Sequence, residues 1–299
     1  MAIIKKNDVT PERPVIIVLY GTPGSGKTSL ATTAENPILI DTDRGYDRAV
    51  QRVDTLTASQ WEDIDNEKES IKTYKTVVVD TAKAMLDDYL SAFAIKKNYK
   101  LATNSLKRFG QMGEDFKAFV NFLRSNNSDI IFICHDKEVS EGDVIKHSPD
   151  CTGQSKDLLL RIADQVGYIS KVNNKRTITF EPSDNFIGKN VAQLTQMAIP
   201  DSTDAKFHTF MSDVIKSVKS SIQSKSEAQR KANEKLAELR SELANVETEE
   251  DADALTKRGG ELPKVLQLPF FNEMKNTLSE KGFTYDKETK KFIKNETAA

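Results

Sequence analysis

The stretch that decides the fold is Gly21-Thr22-Pro23-Gly24-Ser25-Gly26-Lys27-Thr28, which fits the pattern GxxxxGKS/T. It follows the apolar run Val15–Tyr20 (VIIVLY) and precedes a segment of helical composition beginning with Ser29. Glycines let such a loop turn back so that successive backbone N–H groups face a phosphate chain, and the following helix adds its positive N-terminal end. The pattern therefore assigns phosphate binding to Gly21, Thr22, Pro23, Gly24, Ser25, Gly26, Lys27, Thr28 and Ser29. Lys27 would reach the β- and γ-phosphates, and Thr28 would ligate magnesium. A glycine-rich strand-to-helix turn without a ligand is the plain alternative, but it does not call for the four fixed positions of the motif in this context.

Outward from the loop, short β-branched runs alternate with longer amphipathic stretches, the pattern of a mostly parallel sheet covered by helices. Strands are expected at Val15–Tyr20, Ile38–Asp41, Val53–Thr57, Thr76–Asp80, Ile130–Cys134, Val166–Val172 and Thr177–Glu181. VIIVLY, TVVVD and IIFIC read as continuous apolar runs, as strands buried on both faces do. Helices are expected after Lys27, from Ser59 with Glu62 as a capping box, from Ala82, and over Phe109–Leu123. The β-rich pattern stops at Ile199-Pro200-Asp201-Ser202. This divides the chain into an arm (1–13), an α/β core (14–199), a long helix or helical hairpin (200–246) and a small helical domain (247–299). Thr248 with Asp251 caps a helix in the last of these, Gly259-Gly260 breaks it, and FTYDKETKKFI reads as a hairpin.

Composition narrows the function classes. The 299 residues include 43 Lys plus Arg against 45 Asp plus Glu, a formal charge of −2, so nucleic acid is not coated through overall basicity. Any such contact needs a local patch. Two cysteines are too few for a disulfide framework, which fits a reducing compartment. The expectation is a cytoplasmic protein without signal peptide or membrane anchor, since no apolar run approaches the roughly 20 residues that span a bilayer.

Thr76–Asp80 is an apolar strand ending in a carboxylate, which suits an acid holding magnesium at the C-terminal edge of the sheet. The other reading of Asp80 is a cap for the next helix. From Lys96 to Gly113 the chain holds no acid, yet Lys96, Lys97, Lys100, Lys107 and Arg108 occur there with Tyr99 and Phe109. Cations neutralise phosphates and rings stack on unpaired bases, the combination that holds single strands without reading sequence. A solvated helix–loop surface is the alternative.

These segments, taken in order, resemble the RecA-like recombinase ATPases. LYGTPGSGKTSL is similar to their strand and phosphate loop, and ILIDTDRGYD to the segment with their catalytic glutamate. VVVDTAKAM is similar to their magnesium strand, and IIFICHDK to the strand that ends in their γ-phosphate sensor. Met112-Gly113 and Cys151-Thr152-Gly153 fall where that family ends its two DNA-binding loops. The likeness covers residues 14–195 and is greatest to the small RecA-like ATPases of bacteriophages that assist single-strand annealing and recombination.

The resemblance implies a RecA-like P-loop core that binds ATP with Mg2+ and hydrolyses it slowly under stimulation by DNA. It also implies single-stranded DNA as partner, a homo-oligomer (ring or filament), and a single-stranded DNA-binding protein at the same substrate. It makes Asp43 the water-activating acid, His135 the γ-phosphate sensor, and Lys189 a cation reaching the neighbouring subunit's nucleotide. Each has a plainer reading: a turn acid before Gly45, a histidine satisfied by backbone, and a solvated lysine. The family's glutamate is here an aspartate, about 1.5 Å shorter in reach, and its usual sensor amide is here a histidine. Two other functions stay open at this stage, an ATP-gated DNA-binding module with little turnover and a P-loop kinase acting on a small molecule.

Overall fold

The computed structural model describes residues 12–141, 144–173, 175–286, 289 and 291–295. Of the expected arm, residues 1–11 lie outside the described residues; Arg13 pairs with Asp164 at 2.6 Å. The first part of the chain runs β1 (Ile16–Gly21), α1 (Lys27–Ala31), β2 (Pro37–Asp41), β3 (Asp54–Thr57), α2 (Trp61–Asn66), α3 (Lys68–Ile71) and β4 (Thr76–Asp80). A π-helical stretch, Ala84–Leu90, leads into α4 (Ser91–Lys97), followed by α5 (Ser105–Ser125), β5 (Asp129–Glu141), β6 (Val144–Pro149) and α6 (Gly153–Ile162). Then come β7 (Gln165–Val172), β8 (Lys175–Thr179), β9 (Lys189–Asn190), β10 (Met197–Ile199) and α7 (Phe210–Ala244). The remainder is α8 (Glu249–Gly259), α9 (Lys264–Glu280), β11 (Phe283–Asp286) and β12 (Lys291–Lys294).

Ten strands form one sheet in the order β10-β8-β7-β1-β5-β4-β2-β3, with β6 pairing β5 and β9 pairing β7. The strands from β3 through β7 on this path are parallel, and β8 and β10 close the other edge antiparallel. This is the mostly parallel α/β architecture that the alternating runs predict. Side chains of β1 divide strictly by alternation. Ile16, Val18 and Tyr20 enter one core with Trp61, Met85, Phe116 and Leu159, while Val15, Ile17 and Leu19 enter the other with Leu30, Phe207, Met211 and Val218. Helices therefore cover both faces, and β1 is buried from end to end.

The described chain divides into two compact units, and the division falls after Ile222, inside α7, rather than at Pro200. The reason is burial: Met211, Val214, Ile215 and Val218 complete the second core of the sheet unit. The other unit has its own core from Leu239, Leu243, Leu255, Phe270, Met274, Leu278, Phe283 and Phe292. There Thr248 and Asp251 form the expected capping box, and β11 pairs β12 as a hairpin.

Three expectations are corrected locally. The carboxylate that caps α2 is Asp63, accepting N–H bonds from Ser59 and Gln60; Glu62 faces Lys96 instead. α5 begins at Ser105 rather than Phe109, because the Asn104 side chain accepts the Lys107 N–H at 3.1 Å and caps it. Met112 and Gly113 thus lie inside a helix and end no loop. β5 runs past Cys134 to Glu141, and its residues 136–141 pair antiparallel with residues 144–149 of β6.

Candidate active site

The parallel register brings the C-terminal ends of four neighbouring strands together. β5 lies between β1 and β4, with His135 paired to Gly21, Asp80 to Ile133 and Asp41 to Asp80. A pocket of about 310 Å3 opens on this edge, lined by Pro23, Gly24, Gly26, Lys27, Thr28, Ser29, Asp41, Asp43, Gly45, Arg48, Asp80 and His135. Ligands bind at this edge in open α/β sheets, outside the carboxyl ends of the strands.

The phosphate loop adopts backbone that side chains resist: φ is +76° at Gly24 and +84° at Gly26. Gly21 and Thr22 offer their carbonyls to Lys27, whose Nζ donates to them at 2.8 and 3.0 Å. Ser25 closes the turn through its N–H to Thr22 O, and its buried hydroxyl has no hydrogen-bond partner. Burial pushes the Lys27 ammonium below its ordinary value, with Asp80 opposing the shift. A buried lysine at a glycine-rich loop is the electrostatic complement of an anion.

Beside it, the Thr28 hydroxyl donates to Asp80 Oδ2 at 2.5 Å. Burial pushes the Asp80 carboxyl above its ordinary value, and the Thr28 bond and Lys27 pull it back. A hydroxyl and a carboxylate in contact, both hard oxygen ligands, fit magnesium bound through one or two protein oxygens and substrate phosphates. Asp41 is the loop's anchor. Its carboxylate accepts the N–H groups of Asp43, Gly45 and Tyr46 at 3.1, 3.2 and 3.0 Å and so holds the turn. That turn presents Asp43, whose Oδ2 stands 3.6 Å from His135 Nε2, while the Nδ1 of the same ring is buried without a partner. Thr81, next to Asp80, is buried, its Oγ1 accepting the Ala84 N–H at 3.4 Å.

A family model described as an AAA domain matches residues 13–191, more than half of the chain. The chain belongs to the AAA domain family. No curated protein matches it. The pocket thus lies within the residues of an AAA-type P-loop domain, and among the described residues no helix is long and apolar enough to cross a membrane.

Within this AAA domain Lys189, expected at a neighbouring subunit's nucleotide, stands away from the pocket of its own chain: its Nζ donates to Leu160 O at 3.0 Å and Arg161 O at 3.3 Å at the C-terminal end of α6. The acid-free island is also mixed. Lys96 pairs with Glu62, and Lys97 with Asp115 at 3.4 Å while lying over the Phe93 ring. Arg108 donates to the carbonyls of Leu101 and Ala102, and Phe109 packs on the core. Lys100, Lys107 and Tyr99 are exposed, Tyr99 by 78%.

Two cations beside the loop have no sequence signal. Arg48 lines the pocket, carried there by the turn that Asp41 anchors. Arg176 on β8 lies so close to Gly26 that a Cβ there would stand 2.4 Å from its Nη1. Neither belongs to a spacing that a motif describes.

Proposed function

We propose that this AAA-type chain is a magnesium-dependent ATPase of RecA character that binds single-stranded DNA as a homo-oligomer and acts in phage strand annealing or recombination. The observation that carries the ATPase half is the convergence of Lys27, Thr28, Asp80, Asp43 and His135 on one pocket at the sheet edge. Lys27 and the loop amides take the β- and γ-phosphates, and Thr28 with Asp80 holds magnesium, which when bound neutralises phosphate charge. Asp43, its side chain more than half exposed at the pocket mouth, accepts the proton of a water. The water oxygen attacks the γ-phosphorus, the bond from that phosphorus to the β–γ bridging oxygen breaks, and ADP leaves with the electron pair. His135, against Asp43 and at the root of the paired β5 and β6, is placed to couple the state of the γ-phosphate to that pair.

The DNA half rests on the exposed Tyr99, Lys100 and Lys107 in an acid-free segment together with the ordered likeness to RecA-like ATPases. The test is phosphate release by the purified chain with and without single-stranded DNA, for the natural sequence and Asp43→Asn. DNA should stimulate release, and Asp43→Asn should lower it by about 10²-fold, the usual worth of a positioned base. Release that is indifferent to DNA but dependent on a small acceptor would make the chain a kinase. Release unaffected by Asp43→Asn would remove Asp43 from the chemistry.

A further inference from the structure

Phosphoryl transfer places growing negative charge on the bridging and γ-phosphate oxygens, and an arginine is the side chain suited to meet it, because its rigid fork of donors matches phosphate oxygens. The pocket holds three carboxylates, Asp41, Asp43 and Asp80, against the basic side chains of Lys27 and Arg48. Asp41 is satisfied by three backbone N–H groups, and Asp80 has Thr28 and Lys27. Lys27 itself is bonded to two loop carbonyls, which it must exchange for phosphate. Arg48 differs. Among the described residues its guanidinium makes no hydrogen bond and no ion pair, although it lines the same pocket. A cation at a pocket wall with no partner to give up is available to a ligand without that exchange.

Its placement is fixed from both sides by elements of the nucleotide site. The short 3-10 turn Tyr46–Arg48 starts where the Asp41 carboxylate accepts the Tyr46 N–H at 3.0 Å. Just beyond it, the Val50 N–H donates to Ser29 Oγ at 3.0 Å, and Ser29 follows the magnesium-binding Thr28. One end of the turn is therefore tied to the end of β2 and the other to α1. Its backbone stays in register with the phosphate loop.

We propose that Arg48 is an arginine this chain supplies from its own loop to the transferred phosphoryl group, a charge-stabilising catalytic residue acting within one protomer. The inference rests on the ATPase reading of this pocket and deepens it. It predicts that Arg48 discriminates between a nucleotide with and without its third phosphate.

The test compares the full-length natural chain with Arg48→Ala, Arg48→Lys and Arg44→Ala. Arg44 is a neighbouring exposed cation that does not line the pocket. Three quantities are read with magnesium present: affinity for ADP, affinity for ADP with aluminium fluoride, and single-turnover hydrolysis of ATP. Arg48→Ala should leave ADP affinity within about twofold and lower hydrolysis and aluminium-fluoride trapping by about 10²-fold, the scale of one lost donor to developing charge. Arg48→Lys should recover only part of the loss, and Arg44→Ala should change none of the three. The trapping measurement decides the matter even where turnover is slow. If Arg48→Ala traps ADP with aluminium fluoride as tightly as the natural chain, or if ADP affinity falls as far as trapping does, Arg48 has no such role. If the natural chain binds no nucleotide at all, the ATPase reading falls and this inference with it, a result distinct from the other two.

Discussion

At the scale of single residues, Asp80 shows how a carboxyl at the proposed magnesium site works against the stability of its own fold. Burial raises its pKa from the ordinary 3.8, so over the window above that value the native carboxyl keeps a proton that the unfolded chain has released. The native state then binds more protons than the unfolded one, and stability contributed here falls as pH rises through the window. Asp80→Asn removes that fall while keeping an oxygen to accept the Thr28 hydroxyl. Thermal unfolding without nucleotide should show a higher midpoint for Asp80→Asn at neutral pH and a smaller loss between mildly acid and neutral conditions. Magnesium-dependent nucleotide affinity should drop in the same variant. Equal midpoints for the two chains across that range would mean that burial at this site is relieved by something other than protonation.

At the scale of elements, the phosphate loop is held by backbone conformation, and its two left-handed glycines are not equivalent. A Cβ on Gly24 meets nothing within 4 Å, so Gly24→Ala carries only the cost of a left-handed residue, roughly 1–2 kcal/mol. A Cβ on Gly26 adds a collision with the Arg176 guanidinium, which is itself held by Pro200 O and the Phe207 ring. Gly26→Ala should therefore lower nucleotide affinity and the unfolding midpoint more than Gly24→Ala; calorimetry of both variants checks the order. Elements like this loop were legible because their chemistry is local: a buried strand, fixed glycines, a lysine and a hydroxyl. The parallel strands were legible for the same reason, and Thr76–Asp80 begins and ends where its apolar run does. What spacing could not show depends on distant partners. Asp41 and Asp43 are near-equivalent acids in sequence; only the fold buries one to anchor the turn and leaves the other exposed at the pocket mouth. Arg48 reaches the site through Asp41 and Ser29, and the length of β5 depends on β6 folding back along it.

At the scale of the whole molecule, a chain of net charge −2 can hold a polyanion only where its acids withdraw, and the segment from Lys96 to Gly113 is one place where they do. Structure narrows the useful cations within it. Lys96 and Lys97 already face Glu62 and Asp115, and Arg108 ties the Tyr99–Ala102 turn through two carbonyls, so its removal would disturb the loop as well as its charge. Lys100 and Lys107 are exposed, beside Tyr99, whose ring is available for stacking. If single-stranded DNA lies along this surface, the double substitution Lys100→Ala/Lys107→Ala removes two phosphate contacts and leaves the fold intact. The logarithm of affinity plotted against the logarithm of salt concentration should then flatten by about 1.4, from roughly 0.7 per contact on a single strand. Tyr99→Ala should weaken binding at every salt concentration, by roughly 1–3 kcal/mol per stacked base, without changing that slope. A slope that stays fixed when both lysines are gone would place the polynucleotide elsewhere on the molecule, while ATP binding at Lys27 would be untouched, since neither lysine lines that pocket.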